Sequence, residues 1–124
     1  MMTAAELRAR LGHLGFTIDS FTTMLSWDRR TIQRQAGGTT PVTQRTVDKI
    51  RELEQLANAQ LAQWDAATEN GTPIQIPRLN ETVMPGELPP HWYLALAGRH
   101  IAKWGDETTI EWAREWELED VQDI

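Results

Sequence analysis

Apolar residues recur every three or four positions along most of this chain, with polar residues between them, the signature of amphipathic helices. Leu7, Leu11 and Leu14 keep that spacing behind Thr3-Ala4-Ala5-Glu6. That tetrad has capping-box form: the hydroxyl serves the amide three residues on, and the glutamate reaches back. A first helix is therefore predicted over about residues 4–13, with Gly15 as its stop. Thr17 caps a second helix whose inner face is Ile18, Phe21 and Leu25, with Met24 beside them. Ser26-Trp27 makes a short turn. Asp28 caps a third helix, where its carboxylate also favours the positive end of the dipole, and Gly37-Gly38 ends it.

The pattern then lengthens. Thr40-Pro41 suits a helix start, because proline is tolerated in the first turn. Val47, Ile50, Leu53, Ala57, Leu61 and Trp64 keep helical spacing up to Asn70-Gly71. A helix of that length far exceeds the average of about 11–12 residues, so its later turns are expected to leave the first domain. Turn formers crowd residues 70–90, and within them Ile74-Gln75-Ile76 alternates as a very short strand does. From His91 the segment HWYLALAGRHIAKW reads as a helix, with Trp92, Leu96, His100 or Ile101, and Trp104 along one side and Gly105 as its stop. A last helix is predicted over about residues 107–117, followed by an acidic end. The expected architecture is mainly α: a helix-turn-helix domain over residues 1–54, the long helix continuing over 55–70, and a small C-terminal α(+short β) dimerisation element over 71–124.

Composition narrows the class. Six tryptophans and 40% hydrophobic residues are enough for a core. The absence of cysteine rules out a disulfide framework and thiolate metal sites. With no leader-like segment and no run of about 18 apolar residues, a soluble cytoplasmic protein is expected, with no membrane partner. The net charge of −6 seems to argue against nucleic acid, but it is unevenly spread. Residues 1–54 carry eight Lys/Arg against six Asp/Glu, a net of +2, and residues 55–124 carry four against twelve, a net of −8. A basic face at the front of an acidic molecule is expected.

Arg29, Arg30 and Arg34 concentrate that front charge on the third helix. Two short helices joined by a tight turn form a helix-turn-helix when Phe21, Leu25, Trp27 and Ile32 pack inward. With Ile32 inside, Arg29, Arg30, Gln33 and Arg34 project outward from the helix that enters the major groove. Arginine grips a guanine edge with two hydrogen bonds, and glutamine does so with adenine, so Arg29, Arg30 and Gln33 are expected to read bases. Thr17, Thr31, Arg34, Gly38, Thr39, Thr40 and Arg45 are expected to hold phosphates through hydroxyls, amides and charge.

These residues also carry a family resemblance. LGFTIDSFTTMLSWDRRTIQRQAGG resembles the Xre/Cro/CI-type helix-turn-helix of bacterial and phage repressors, over roughly residues 3–54. Three positions depart from that pattern: Ile18 replaces a polar residue, Gln35 stands where tryptophan is common, and Ala36 where glutamate is common. The long fourth helix, short strand, Pro/Gly loop and aromatic-led helix, with the Thr17-Ile18-Asp19 start, further resemble the anti-CRISPR-associated repressors of phages and their bacterial relatives. The resemblance implies an autoregulatory repressor in a bacterial cell or phage-infected host, with a C-terminal dimerisation element. The interface residues expected there are Leu61, Trp64, Ile74, Ile76, Trp92, Leu96 and Trp104.

Other readings of the chemistry are weaker. Trp64, Trp92, Trp104, Trp112 and Trp116 have acidic neighbours, which suits a core or an interface better than a single-strand groove that must follow phosphates. His13, His91 and His100 lie on separate elements without ligand spacing. Glu107, Glu111 and Glu115 read as one solvated helical face. Arg45, Lys49 and Arg51 line a DNA backbone or pair with Asp48, Glu52 and Glu54. No phosphate loop, nucleophile elbow or metal motif appears, so neither enzyme nor cofactor is expected. The expected function is sequence-specific repression by a homodimer on an inverted repeat of double-stranded DNA. The alternatives are an antitoxin whose C-terminal half grips a protein partner, and a protein-interaction module with a degenerate helix-turn-helix.

Overall fold

Each of the first three helices begins where a short polar side chain takes over an unsatisfied amide. In the computed structural model, which describes residues 1–79 and 85–113, α1 spans Ala4–His13. Thr3 Oγ1 accepts from the Glu6 amide at 3.1 Å while Glu6 Oε2 accepts from the Thr3 amide at 3.0 Å. Thr17 and Ser20 make the same reciprocal pair at the start of α2 (Ile18–Leu25). The next turn rests on Ser26 at φ 55°, ψ 39°, a left-handed conformation in which a side chain is strained. Two residues later Asp28 caps α3 (Arg29–Ala36).

The fourth helix starts later than Thr40-Pro41 predicts. The amides of Thr39 and Thr40 turn back onto the Arg34 carbonyl at 2.9 and 3.3 Å, which commits residues 38–41 to closing α3. The cap of α4 (Gln44–Glu69) is Thr43, whose hydroxyl accepts from the Thr46 amide. Val42 and Val47, both buried, occupy the two positions of a hydrophobic staple around that cap. From there α4 runs unbroken for 26 residues, about 39 Å at 1.5 Å per residue.

After α4 come β1 (Ile74–Ile76), α5 (Pro90–Trp104), a 3-10 turn (Gly105–Glu107) and β2 (Ile110–Trp112). The helix predicted over 107–117 is corrected: its first residues close the turn, and Ile110–Trp112 pair parallel to β1 in the register Ile74↔Ile110, Gln75↔Glu111, Ile76↔Trp112. The β-branched run Thr108-Thr109-Ile110 favours extended backbone, and the Ile74 amide and Thr109 carbonyl bond at 2.9 Å. Glu107 and Glu111 therefore share no helical face. Residues 114–117, with Glu115 and Trp116, lie outside the described residues.

The fold is mainly helical with this one small sheet, and its core is continuous. Leu7, Leu11 and Leu14, Phe21, Ile32, Ile50 and Leu53, Trp64, Ile74 and Ile76, and Trp92 and Leu96 belong to one buried cluster. Each fully buried leucine or phenylalanine in it contributes about 1.5–3 kcal/mol. Phe16 bridges Phe21 of α2 and Trp92 of α5, with ring centroids 5.7 Å from both. Gly15, at φ +83°, lies against the start of α5 so closely that a Cβ there would sit 2.2 Å from the His91 carbonyl oxygen. The Gly86 amide donates to the Met24 carbonyl at 2.7 Å. A boundary at residue 54 or 70 thus divides the chain in sequence but crosses a shared core.

Most of the residues expected at a dimer interface lie within this packing. Trp64, Ile74, Ile76, Trp92 and Leu96 are buried against the chain's own elements, and Leu61 and Trp104 are half-buried against them. For the five buried residues that surface is covered within one copy.

Where α4 meets α5, charged groups are held in a closed network. Asp65 accepts from Lys103 Nζ at 2.7 Å through one oxygen and from Trp104 Nε1 at 2.7 Å through the other. These donors, Lys103 first, hold its carboxyl below the ordinary 3.8. His100, 1% exposed, joins its Nε2 to Thr68 Oγ1 at 2.8 Å, and Thr68 meets Thr108 at 3.1 Å. His100 Nδ1 lies 3.6 Å from Asp65, beyond hydrogen-bond range, and has no partner among the described residues. Burial is the main cause that holds His100 below its ordinary 6.5; Asp65 opposes the shift and Lys103 adds to it.

Candidate nucleic-acid interface

The surface that carries the sequence's cationic cluster is α3, and three buried residues fix how it faces. Ile32 and Ala36 enter the core. Gln35, 2% exposed, joins them, and its Oε1 accepts from the Thr43 amide at 3.3 Å. A polar side chain where an aromatic one was expected thus ties the end of α3 to the cap of α4. From α1, Arg8 Nε donates to the Ala36 carbonyl at 3.0 Å and satisfies one of the open carbonyls at the helix end. The sequence marked Gln35 only as a departure from the repressor pattern and did not single out Arg8. The signal available was only that Gln35 follows Ile32 by three positions, on the inward face.

With those residues inside, the opposite side of α3 is exposed and cationic. The side chains of Arg30, Gln33 and Arg34 are exposed and make no hydrogen bond or ion pair among the described residues. Arg29 differs. Its Nε pairs with Asp19 of α2 at 2.5 Å, although both side chains are 62% exposed. Of the three residues expected to read bases, two present open donors and one is tethered by a pair that water screens and an anion can replace.

The expected phosphate-holding residues divide similarly. Thr31 is engaged, since its amide and hydroxyl both donate to Asp28 Oδ2, at 3.0 and 2.7 Å. Those two bonds, the hydroxyl one first, hold the Asp28 carboxyl below its ordinary 3.8. Thr17 is engaged in its capping pair with Ser20. Arg34 is open, as just described. Gly38, at φ +81°, turns the chain away from α3, and the exposed Thr39 and Thr40 follow it with amides committed to the Arg34 carbonyl. Arg45, exposed on the first turn of α4, stacks its guanidinium carbon 4.1 Å above the Trp27 ring. The stack borders a cavity of about 250 Å³ between α3 and α4, lined by Thr31, Gln35 and Thr43 among others. It holds a cation beside α3 at a fixed place while leaving its N–H groups free to bond.

Further along α4 the charges are paired. Lys49 meets Glu52 at 3.0 Å, and Glu54 is taken by Arg10 of α1 at 2.9 Å. For Lys49, surface pairing describes the structure. Asp48 accepts from Gln44, Glu52 pairs with Lys49 and Glu54 with Arg10, and Arg51 makes no ion pair with any of the three among the described residues. Among the described residues no three His, Asp or Glu side chains gather as metal ligands, and no helix is long and apolar enough to cross a membrane. In comparisons with models of known protein families and with curated proteins, the chain matches none.

Proposed function

We propose that this chain is a sequence-specific double-stranded DNA-binding repressor of the Xre/Cro type, with α2, the Ser26 turn and α3 as its helix-turn-helix and a homodimer as its working form. One observation carries the reading: Arg30, Gln33 and Arg34 share the outward side of a helix whose inward side is anchored at Ile32, Gln35 and Ala36, and their donors are unpaired among the described residues. In the same chain of net charge −6, Arg10 and Lys49 are paired with carboxylates. An α-helix fits the major groove, where Arg30 and Gln33 reach base edges and Arg34 reaches phosphate. Arg29 exchanges Asp19 for DNA, and Arg45, seated on Trp27, clamps the backbone from the start of α4. The acidic second half weakens general attraction to DNA, so discrimination is left to the helix.

The test is a titration of the full chain against random-sequence duplex at low salt, followed by selection from a randomised duplex pool. Binding that weakens steeply with added salt, and selected sequences that converge on an inverted repeat, are expected. No duplex binding at about 20 mM salt, where non-specific phosphate contact is strongest, refutes the proposal.

A further inference from the structure

We infer that Asp19 is a specificity-determining positioning residue: its carboxylate braces Arg29 so that the two outer nitrogens of the guanidinium meet a guanine edge. The inference deepens the DNA-binding reading and rests on it. Of the three arginines on α3, Arg29 alone makes an ion pair among the described residues, from Nε to Asp19 Oδ1 at 2.5 Å. The contact uses Nε, so Nη1 and Nη2 stay uncommitted among the described residues. Arg29 is the first residue of α3, at the end of a recognition helix that meets base edges, and Asp19 lies in the first turn of α2. Both border one recess of about 360 Å³ between α1, α2 and α3, which Gln33, one turn along α3, also lines. The pair thus stands beside a second residue expected to read a base.

An exposed pair of this kind adds little to the fold, because both side chains are 62% exposed and water and salt screen them. Its effect lies in how the guanidinium is presented. An arginine without a partner, as Arg30 is among the described residues, loses its side-chain freedom on binding. One held at Nε offers a planar fork already set. Nη1 and Nη2 then donate to O6 and N7 of one guanine while Nε keeps the carboxylate. Water leaves as the duplex arrives, which strengthens the ion pair. A phosphate offers the reverse. To bond it Arg29 gives up Asp19, and the released carboxylate stands beside a polyanion. One side chain thus favours the guanine edge and disfavours a random stretch of backbone.

The experiment measures binding of the full chain, Asp19→Asn, Arg29→Ala and the double variant Asp19→Asn/Arg29→Ala to two duplexes. One is the sequence that the unaltered chain selects from a randomised pool, and the other is random. Asp19→Asn is expected to bind the selected duplex about tenfold more weakly and to lose about tenfold of the guanine preference at one position. On random duplex it is expected to bind about threefold more tightly, with the slope of log affinity against log salt steeper by about 0.9, one phosphate contact more. In the Arg29→Ala background, where the preference is already gone, Asp19→Asn is expected to weaken the selected duplex no further. An equal loss with and without Arg29 marks a role in the fold of α2 and overturns the inference. If the unaltered chain binds no duplex, the DNA-binding reading falls and this one with it. If it selects a sequence and Asp19→Asn selects the same one as strongly, only the role of Asp19 falls.

Discussion

The outward side of α3 and the junction of α4 with α5 both concentrate polar and charged groups, and they treat them in opposite ways. At the junction every donor of Lys103 and Trp104 that points inward meets Asp65, and His100 is enclosed with its hydroxyl partner Thr68. On α3, the side chains of Arg30 and Arg34 are exposed and make no ion pair among the described residues. Satisfied polar groups in a part-buried place determine how two helices meet. Unsatisfied cations on an exposed helix add nothing to the fold, and their use lies in what they can bond outside it. The comparison separates residues whose loss unfolds the chain from residues whose loss spoils binding.

Gly15 gives the largest expected effect, because it packs the corner between α1 and α2 against the start of α5. Gly15→Val places a Cβ inside the van der Waals contact of the His91 carbonyl and forces a branched residue to φ +83°, so a loss of about 3 kcal/mol or more in unfolding free energy is expected in denaturant titration. Next, Arg30→Ala is expected to lose about 1–3 kcal/mol of affinity for the selected duplex and to relax one base position. Its melting temperature should stay unchanged. A variant that binds with the same affinity and preference removes Arg30 from the reading surface. Asp65→Ala makes the converse case: it leaves Trp104 Nε1 without its acceptor and is expected to lower the midpoint of denaturant unfolding, with duplex affinity unaltered where the chain is folded.

The smallest effect concerns pH. The folded chain keeps His100 neutral below its ordinary 6.5, whereas the unfolded chain takes up that proton, so the unfolded state binds more protons and stability falls as pH drops from 7 towards 5. One proton limits the loss to about 1.4 kcal/mol per pH unit, and His100→Gln should flatten the slope. Asp65 acts in a lower window. Its depressed carboxyl contributes stability above its ordinary 3.8, which is lost as the pH falls through its folded value. Duplex binding in the range from pH 7 to 6 should follow salt rather than His100.

Much of the fold was legible because its signals are local. Thr3, Thr17 and Asp28 each satisfy an amide three residues on, so the starts of α1, α2 and α3 follow from the chain itself. The periodicity from Val47 to Trp64 likewise marks α4, and the alternation at Ile74 marks β1. The last predicted helix failed for a non-local reason: Ile110–Trp112 gains its hydrogen bonds from β1, more than thirty residues earlier, and no pattern within 107–117 encodes that partner. The start of α4 was misplaced because Thr39 and Thr40 bond back to Arg34.

The candidate site was half legible. By itself the sequence determined that Arg30 and Arg34 lie on the side away from Ile32, whereas Arg29, three positions before Ile32, falls on its flank. Only the tertiary structure decided that Arg29 is held by Asp19, that Gln35 is buried against Thr43, and that Arg45 sits on Trp27. It also decided that Trp92 and Leu96 fill the chain's own core while Leu94 and Ile101 face outward. Spacing assigns residues to sides of a helix, but which side meets the core depends on where the neighbouring elements lie, and α5 carries apolar residues on both.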